Sequence, residues 1–213
     1  MIGLKIGDKH TYDSFGLKML SCTISPPEPK IEEIEIPGMD GKLDVSGFFG
    51  EILYHKRTFE AVFDMEEPDL RNFKSRFSEL CNYMHGLEKK IIPDDDPLYY
   101  YEGRVQVTYK QKNALFYEIT ITASVAPYKM RLEEKIVSRY VSEELEIILP
   151  NERKSVIPTI TTDAEFRLVC NGKSVTHSAG EFIVADFKLT EGENVIACYG
   201  TGNITFRYQE GSL

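Results

Sequence analysis

The chain has 213 residues, of which 42% are hydrophobic, so it is long enough for one or two domains and apolar enough to bury a core. Its formal net charge of −9 argues against a nucleic-acid-binding role, which needs a basic surface. No uncharged stretch reaches the roughly 20 residues of a membrane helix, and the first residues lack the apolar centre of a signal peptide. We therefore expect a protein that is made in a cytoplasm and is not inserted into a membrane.

The cysteines are spaced too widely for a zinc motif. They are Cys22, Cys81, Cys170 and Cys198. None stands in a C-x-x-C pair, so we expect no structural zinc site. In a reducing compartment, the simplest interpretation is that they are small, buried, apolar residues.

The first residues contain short apolar stretches that predict one or two strands, followed by the proline-rich segment Ser25–Pro29. The next segment, Ile31–Phe63, has two alternating runs around a glycine-rich middle. The runs Ile31–Ile36 and Tyr54–Phe63 predict the two strands of a long hairpin. A loop of this length is more often functional than a plain connection, although an ordinary surface hairpin is the alternative.

One helix is predicted with clear start and stop signals, from about Asp69 to His85. Acidic residues and Pro68 mark its first turn, and Gly86 marks its end. The apolar residues recur every three or four positions, which predicts a single buried face. They are Leu70, Phe73, Phe77, Leu80 and Met84.

The run Asp94–Asp96 raises the possibility of a calcium or magnesium site, because these ions prefer oxygen ligands. Adjacent residues point in different directions, however, and no Asp-x-Asp-x-Asp-Gly loop is present. We therefore favour a capped acidic turn and expect no metal or other cofactor.

A second hairpin is predicted from the alternating runs Arg104–Tyr109 and Phe116–Ala123. After Ala126–Tyr128 the chain becomes charged, and we place a domain boundary there, giving domains of residues 1–130 and 131–213. In the second domain, short strands alternate with regularly spaced turns, which favours a β-sandwich. The fold class is therefore mainly β.

No catalytic motif stands out. The chain lacks a Gly-x-Ser-x-Gly elbow, a P-loop and a His-Glu-x-x-His sequence, and each histidine is interpreted as structural or exposed. We therefore expect no enzyme and name no catalytic residue. A hydrolase with an unrecognised pair of carboxylates remains an alternative.

Several short motifs occur in a recognisable order over roughly the first 130 residues. They are Asp13–Leu17, Ile24–Pro27, Ile36–Gly41, Leu43-Asp44, Arg57–Phe59, His85-Gly86, Ile92–Asp95, Tyr99–Arg104 and Ala126–Tyr128. In this order they resemble the distal tail protein family of long-tailed bacteriophages and prophages with flexible tails. The closing segments Leu189–Ile196 and Tyr208–Leu213 resemble the same family more weakly.

The resemblance implies a structural protein at the tail tip of a virion. The first domain would have a fold like that of tail-tube proteins, a β-sandwich with one helix and a long hairpin, and would form a homo-hexameric ring. The second would be a peripheral, galectin-like β-sandwich. The partners implied are the tail tube protein, the tail-tip hub and a receptor-binding protein, while DNA passes through the lumen without specific binding, since an acidic wall repels it.

The residues that we expect at an assembly interface lie in and beside the predicted hairpin. They are Gly38, Asp40, Gly41, Asp44, Phe48, Phe49 and Arg57. An exposed phenylalanine pair is unfavourable in a monomer, whereas aromatic residues are enriched at interfaces. The alternative is that Phe48 and Phe49 fold back onto their own domain.

A carbohydrate-binding module for a host-surface glycan is the second function to consider. A galectin-like sandwich with exposed tyrosines could stack on a sugar. The chain contains no tryptophan, the favoured stacking residue, and a fold alone does not establish sugar binding.

Overall fold

A computed structural model describes residues 2–48 and 50–213 and divides the chain into two compact units, Met1–Pro127 and Tyr128–Leu213. The first unit contains β1 (Leu4–Ile6), β2 (Lys9–His10), α1 (Thr11–Phe15), β3 (Lys18–Ile24), β4 (Glu33–Glu35), β5 (Lys42–Asp44), β6 (Arg57–Glu66), α2 (Leu70–Met84), β7 (Glu88–Pro93), β8 (Tyr99–Gln111) and β9 (Phe116–Val125). The second contains β10 (Lys129–Arg131), β11 (Lys135–Asn151), β12 (Thr159–Thr162), β13 (Phe166–Cys170), β14 (Lys173–His177), β15 (Gly180–Ile183), β16 (Gly192–Tyr208) and β17 (Gly211–Ser212). The mainly β fold class is confirmed, and the independence of two domains split near Met130 stays a prediction.

The first unit is organised around an antiparallel sheet with the strand order β2-β1-β7-β8-β9-β6-β3. Along β6, alternate side chains are buried, as the period of two in the sequence predicts. Phe59, Ala61 and Phe63 face the core and lie opposite Ala123, Ile121 and Ile119 of β9. These cross-strand apolar pairs hold β6 against β9, one strand from the edge of the sheet.

Helix α2 covers one face of this sheet. Its N-cap, Asp69, accepts a hydrogen bond from the backbone N–H of Arg71 at 2.7 Å, as the start signal predicts. Phe73 is 1% exposed and stacks on Tyr117 with 3.5 Å between the ring centroids. The helix bounds were therefore correctly predicted from capping and periodicity.

The predicted buried face is wrong at one position, because Leu70 is 51% exposed. Phe73, Leu80 and Met84 define the centre of the buried stripe. At about 100° per residue, Leu70 lies about 60° from that centre, in the first turn of the helix. Phe77 lies closer to the centre and is partly buried. A second, five-residue helix, α1, was not predicted; it ends at Gly16, whose φ is 66°.

The predicted hairpin between Ile31–Ile36 and Tyr54–Phe63 is wrong in its pairing. The run from Tyr54 to Phe63 does not pair with Ile31–Ile36; its part within β6 pairs with β3, where Ile24 lies opposite Phe59. The reason is apolar matching, because Met19, Cys22 and Ile24 of β3 pack against the core, whereas Ile31, Ile34 and Ile36 are exposed. The second hairpin, β8–β9, is confirmed, with Val107 opposite Ile121.

The second unit is built on a long antiparallel pair, β11 and β16, which pair over their full length of 17 residues each. In the middle of this pair Glu143 lies opposite Gly200, and both residues have positive φ, 73° and 153°. Before Gly200, β16 also pairs with β13, and after it β16 pairs with β12. A strand that changes neighbours along its length is typical of β-sandwich corners. The galectin-like shape stays a prediction.

Candidate functional site

The predicted interface falls on the segment that connects β3 to β6, residues 25–56, which we call the arm. Its base is a narrow antiparallel ladder. The N–H of Lys30 donates to the carbonyl of Leu53 at 2.7 Å, and the N–H of His55 donates to the carbonyl of Glu28 at 2.8 Å. The arm is therefore a direct extension of the β3–β6 hairpin.

Farther out, β4 and β5 form a small two-stranded sheet of their own, with Ile34 opposite Leu43. The turn between them contains Gly38 and Gly41, whose φ values are 86° and 81°. Positive φ is the conformation for which glycine is suited, which explains the glycines that the sequence places here. Asp40 lies in this turn and is exposed.

Asp44 has a local structural role after β5. Its carboxylate accepts hydrogen bonds from the N–H of Ser46 at 2.9 Å and from the hydroxyl of Ser46 at 2.5 Å. The same hydroxyl oxygen accepts a bond from the N–H of Glu32 at 2.8 Å. The bonds from Ser46 lower the pKa of the Asp44 carboxyl below its usual range. Asp44 therefore positions Ser46, which holds the segment after β5 beside the residue that precedes β4.

The arm carries apolar side chains without a core of its own. None of its described residues is buried. The exposed fractions reach 78% for Phe48, 65% for Ile31 and 64% for Leu53. Five further large apolar side chains of the arm are also exposed: Ile34, Ile36, Met39, Leu43 and Ile52. Such a concentration of exposed apolar surface is typical of an interaction site.

Arg57 lies at the base of the arm, but it is buried, whereas the side chains of the arm are mostly exposed. It is only 7% exposed and points to the same face of β6 as Phe59. Its guanidinium lies over the ring of Tyr101, 4.9 Å from the centroid. Burial lowers the pKa of Arg57, because a charge in a water-poor site is poorly solvated.

The structure thus separates the predicted interface residues into two groups. Gly38, Asp40 and Gly41 lie together at the tip, Asp44 is the last residue of β5, and Phe48 comes after that strand. Arg57 belongs to the sheet, and Phe49 lies outside the described residues. Their contact with a partner stays a prediction. Ile31 and Leu53 were not predicted as interface residues, although the glutamates among the arm's isoleucines are a signal against a buried strand.

Three further sequence hypotheses concern the acidic turn, a metal site and a membrane span. In the turn, Asp94 accepts a bond from the N–H of Gly3 at 2.7 Å and contacts His10 Nε2 at 3.1 Å, so its carboxylate ties the turn to the N-terminal residues of the unit. Within residues 2–48 and 50–213, no three His, Cys, Asp or Glu side chains are grouped to hold a metal. Among the same residues, no helix is long and apolar enough to cross a membrane.

Sugar stacking needs an accessible aromatic face. In the second unit, Tyr140 is 63% exposed, whereas the guanidinium of Arg167 lies 4.3 Å from the centroid of the Tyr199 ring and covers one of its faces. This arrangement leaves Tyr199 less suited to stacking on a sugar.

Comparison with known proteins agrees with this fold. The whole chain is similar to the crystal structure of SPP1 Dit (gp 19.1), with a TM-score of 0.73, 14% sequence identity and coverage of 100% of both chains. SPP1 Dit is described as a paradigm of the hub adsorption apparatus of phages that infect Gram-positive bacteria. At this identity the likeness shows a shared fold. No curated protein matches the chain.

A family model extends this likeness to the sequence. Residues 11–123 match the family described as the phage tail protein RIFT-related domain. The matched segment contains the arm, Arg57, α2 and most of the sheet of the first unit. Because the match covers more than half of the chain, this protein belongs to that family of phage tail proteins, which confirms the resemblance of its motifs to the distal tail proteins.

Proposed function

We propose that this protein is the distal tail protein of a siphophage or prophage and that it forms a homo-hexameric ring at the tail tip. The ring would join the tail tube to the tail-tip hub and would support the receptor-binding protein. The fold shared with SPP1 Dit, a protein of a hub adsorption apparatus, supports this role. A structural role also fits a chain whose most unusual feature is an apolar arm.

The arm is the observation on which the proposal depends. Eight large apolar side chains of one segment are exposed, and burying a single one of them fully is worth about 1.5–3 kcal/mol. In a ring, each copy contacts the next head to tail, so every arm meets the same acceptor surface on a neighbour. Assembly would remove the apolar side chains from water.

Charge supports the proposed passage of DNA. The chain carries 34 acidic and 25 basic residues, so a lumen lined by it would have little attraction for a phosphate backbone. The virion is the site of action in this proposal, and the host cytoplasm is the site of synthesis.

The test is the mass of the purified chain in solution over a wide range of concentrations. We expect the wild type to form a species of about six times the 24.4 kDa monomer. The variant Ile31→Ser/Phe48→Ser/Leu53→Ser should lose this species while keeping the thermal transition of the monomer, because these side chains are exposed. A wild type that stays monomeric at high concentration contradicts self-assembly.

A matched control separates loss of the arm contact from a general increase in polarity. Leu98 and Ile183 are 63% and 65% exposed, like the arm residues, but lie outside the arm. The variant Leu98→Ser/Ile183→Ser should assemble like the wild type. Equal loss of assembly in both variants would show that the arm is not part of the interface.

A further inference from the structure

The arginine at the base of the arm is an unusual buried cation. Arg57 is more than nine-tenths buried, and its Nε and Nη2 atoms have no hydrogen-bond partner among the described residues. No described carboxylate forms an ion pair with it either. By contrast, Arg76 pairs with Glu67 at 3.2 Å and donates to the carbonyl of Phe15 at 2.8 Å.

The ring of Tyr101 compensates only part of the cost of burying this charge. Buried charges are normally paired, because removing an ion from water costs several kcal/mol. The attraction between a cation and an aromatic ring is weaker than a hydrogen-bonded ion pair in a buried site. Two unpaired N–H groups on one planar guanidinium are geometrically suited to a carboxylate, which accepts them as a fork.

The local geometry keeps the guanidinium in place for such a partner. Arg57 lies opposite Val125 of β9, and Val125 lies opposite Gly103 of β8. The guanidinium extends across β9 to Tyr101, two residues before Gly103 in β8. The strands and the aromatic ring therefore hold the charge in place. Because Nε and Nη2 are enclosed in the single chain, a carboxylate reaches them only when the surrounding side chains move on association.

The arm itself is a source of carboxylates. Residues 25–56 contain seven acidic and three basic side chains. Two of the acids are already engaged: Glu33 contacts Lys42 at 3.8 Å, and Asp44 binds Ser46. Three exposed acids toward the tip have no side-chain partner in the described part of the chain: Glu32, Glu35 and Asp40.

We propose that Arg57 is the receptor for a carboxylate that the arm of a second copy of this chain supplies. The proposal rests on the assembly proposed above and names the polar contact that accompanies burial of the arm's apolar side chains. One buried, preorganised cation for each copy would give each arm a single docking position.

The experiment compares Arg57→Met with Arg104→Met in the full chain. Methionine keeps most of the length of arginine and removes the charge, and Arg104 is an exposed arginine of the same sheet. We expect Arg57→Met to lower the association constant about tenfold or more. Tenfold is the lower end of the coupling measured for close charge pairs at interfaces. The Arg57→Met monomer should unfold at the same or a higher denaturant concentration, since an unpaired buried charge has been removed. Arg104→Met should leave the association constant unchanged, although it removes the bond from Arg104 Nη1 to the carbonyl of Gly86 and can lower the stability of the monomer.

A second set of variants tests the source of the carboxylate. Glu32→Gln/Glu35→Gln/Asp40→Asn changes exposed side chains only and should weaken assembly about as much as Arg57→Met. Combining the two sets should cause little further loss, because they remove the two sides of one contact. Additive losses, or an arm variant that assembles normally, would overturn the proposal. If Arg57→Met does not fold, Arg57→Lys replaces it: lysine keeps the charge but loses the planar fork, so a smaller loss of assembly is expected, and none of it should add to the loss in the arm variant.

The outcomes also distinguish this inference from the proposed function. A wild-type chain that never assembles overturns both. A wild type and an Arg57→Met variant that assemble with equal affinity overturn only the role of Arg57 and leave the ring intact.

Discussion

Strand β6 and the arm are consecutive in the chain and both carry several large apolar residues, but the burial of these residues is opposite. Strand β6 lies between β3 and β9, and every second side chain along it is buried. In the arm, all the described residues are exposed or only partly buried. Apolar residues of the sheet therefore stabilise the isolated unit, whereas those of the arm contribute stability only when another surface covers them.

This difference predicts that the two regions respond oppositely to substitution. Sheet and helix positions should affect folding of the single chain, and arm positions should affect association alone. Each prediction below changes one side of the comparison.

The largest effect is expected at the contact between helix and sheet. Phe73→Ala removes a fully buried ring that stacks on Tyr117, and it should lower the free energy of unfolding by about 3–5 kcal/mol. Leu70→Ala, on the same helix but half exposed, should cost less than about 1 kcal/mol. Denaturant titration of both variants measures the difference. Similar losses at the two positions would show that the helix packs with a different face.

A smaller effect on folding is expected when the arm is removed. Replacing residues 27–55 by Asn-Gly closes β3 and β6 with a short turn. Because loop closure costs about 0.6 kcal/mol for each doubling of length, the shortened chain should unfold at an equal or slightly higher denaturant concentration. It should not assemble.

Circular dichroism and mass in solution measure the two consequences of this deletion. A loss of more than about 3 kcal/mol would mean that the arm is part of the core, and a surviving ring would mean that the arm is not its interface.

Capping and periodicity were sufficient to predict the helix and the alternating strands. Asp69 and Gly86 are local signals, and their effect does not depend on distant residues. Strand pairing was harder, because the alternation of Phe59, Ala61 and Phe63 defines a buried face without naming the neighbouring strand. Sequence reasoning therefore paired the run that contains β6 with Ile31–Ile36 instead of β3.

The candidate site was predictable only in part. The turn glycines Gly38 and Gly41 carry a direct signal, since their positive φ excludes most other residues. The burial of Arg57 also had a signal, because it shares the period of two with Phe59. The contact between Arg57 and Tyr101 had no signal in the sequence. It crosses β6, β9 and β8, which only the fold brings together.

The smallest effect is expected in thiol chemistry, which distinguishes the last strand before the arm from the arm itself. Cys22 lies on β3, where burial, with a smaller contribution from the charge of Asp95, raises the pKa of its thiol to about 11. The unshifted thiol pKa is 9.0, so Cys22 should react with iodoacetamide at pH 7 on the order of 100-fold more slowly than after unfolding. The variant Leu53→Cys places a thiol in the exposed arm, where labelling should be as fast as in a free peptide and should slow when the chain assembles. Mass spectrometry of labelled peptides measures both rates in one sample. Rapid labelling of Cys22 in the folded chain would show that β3 is as open as the arm, and the contrast between the two regions would then begin at β6 rather than at Ser25.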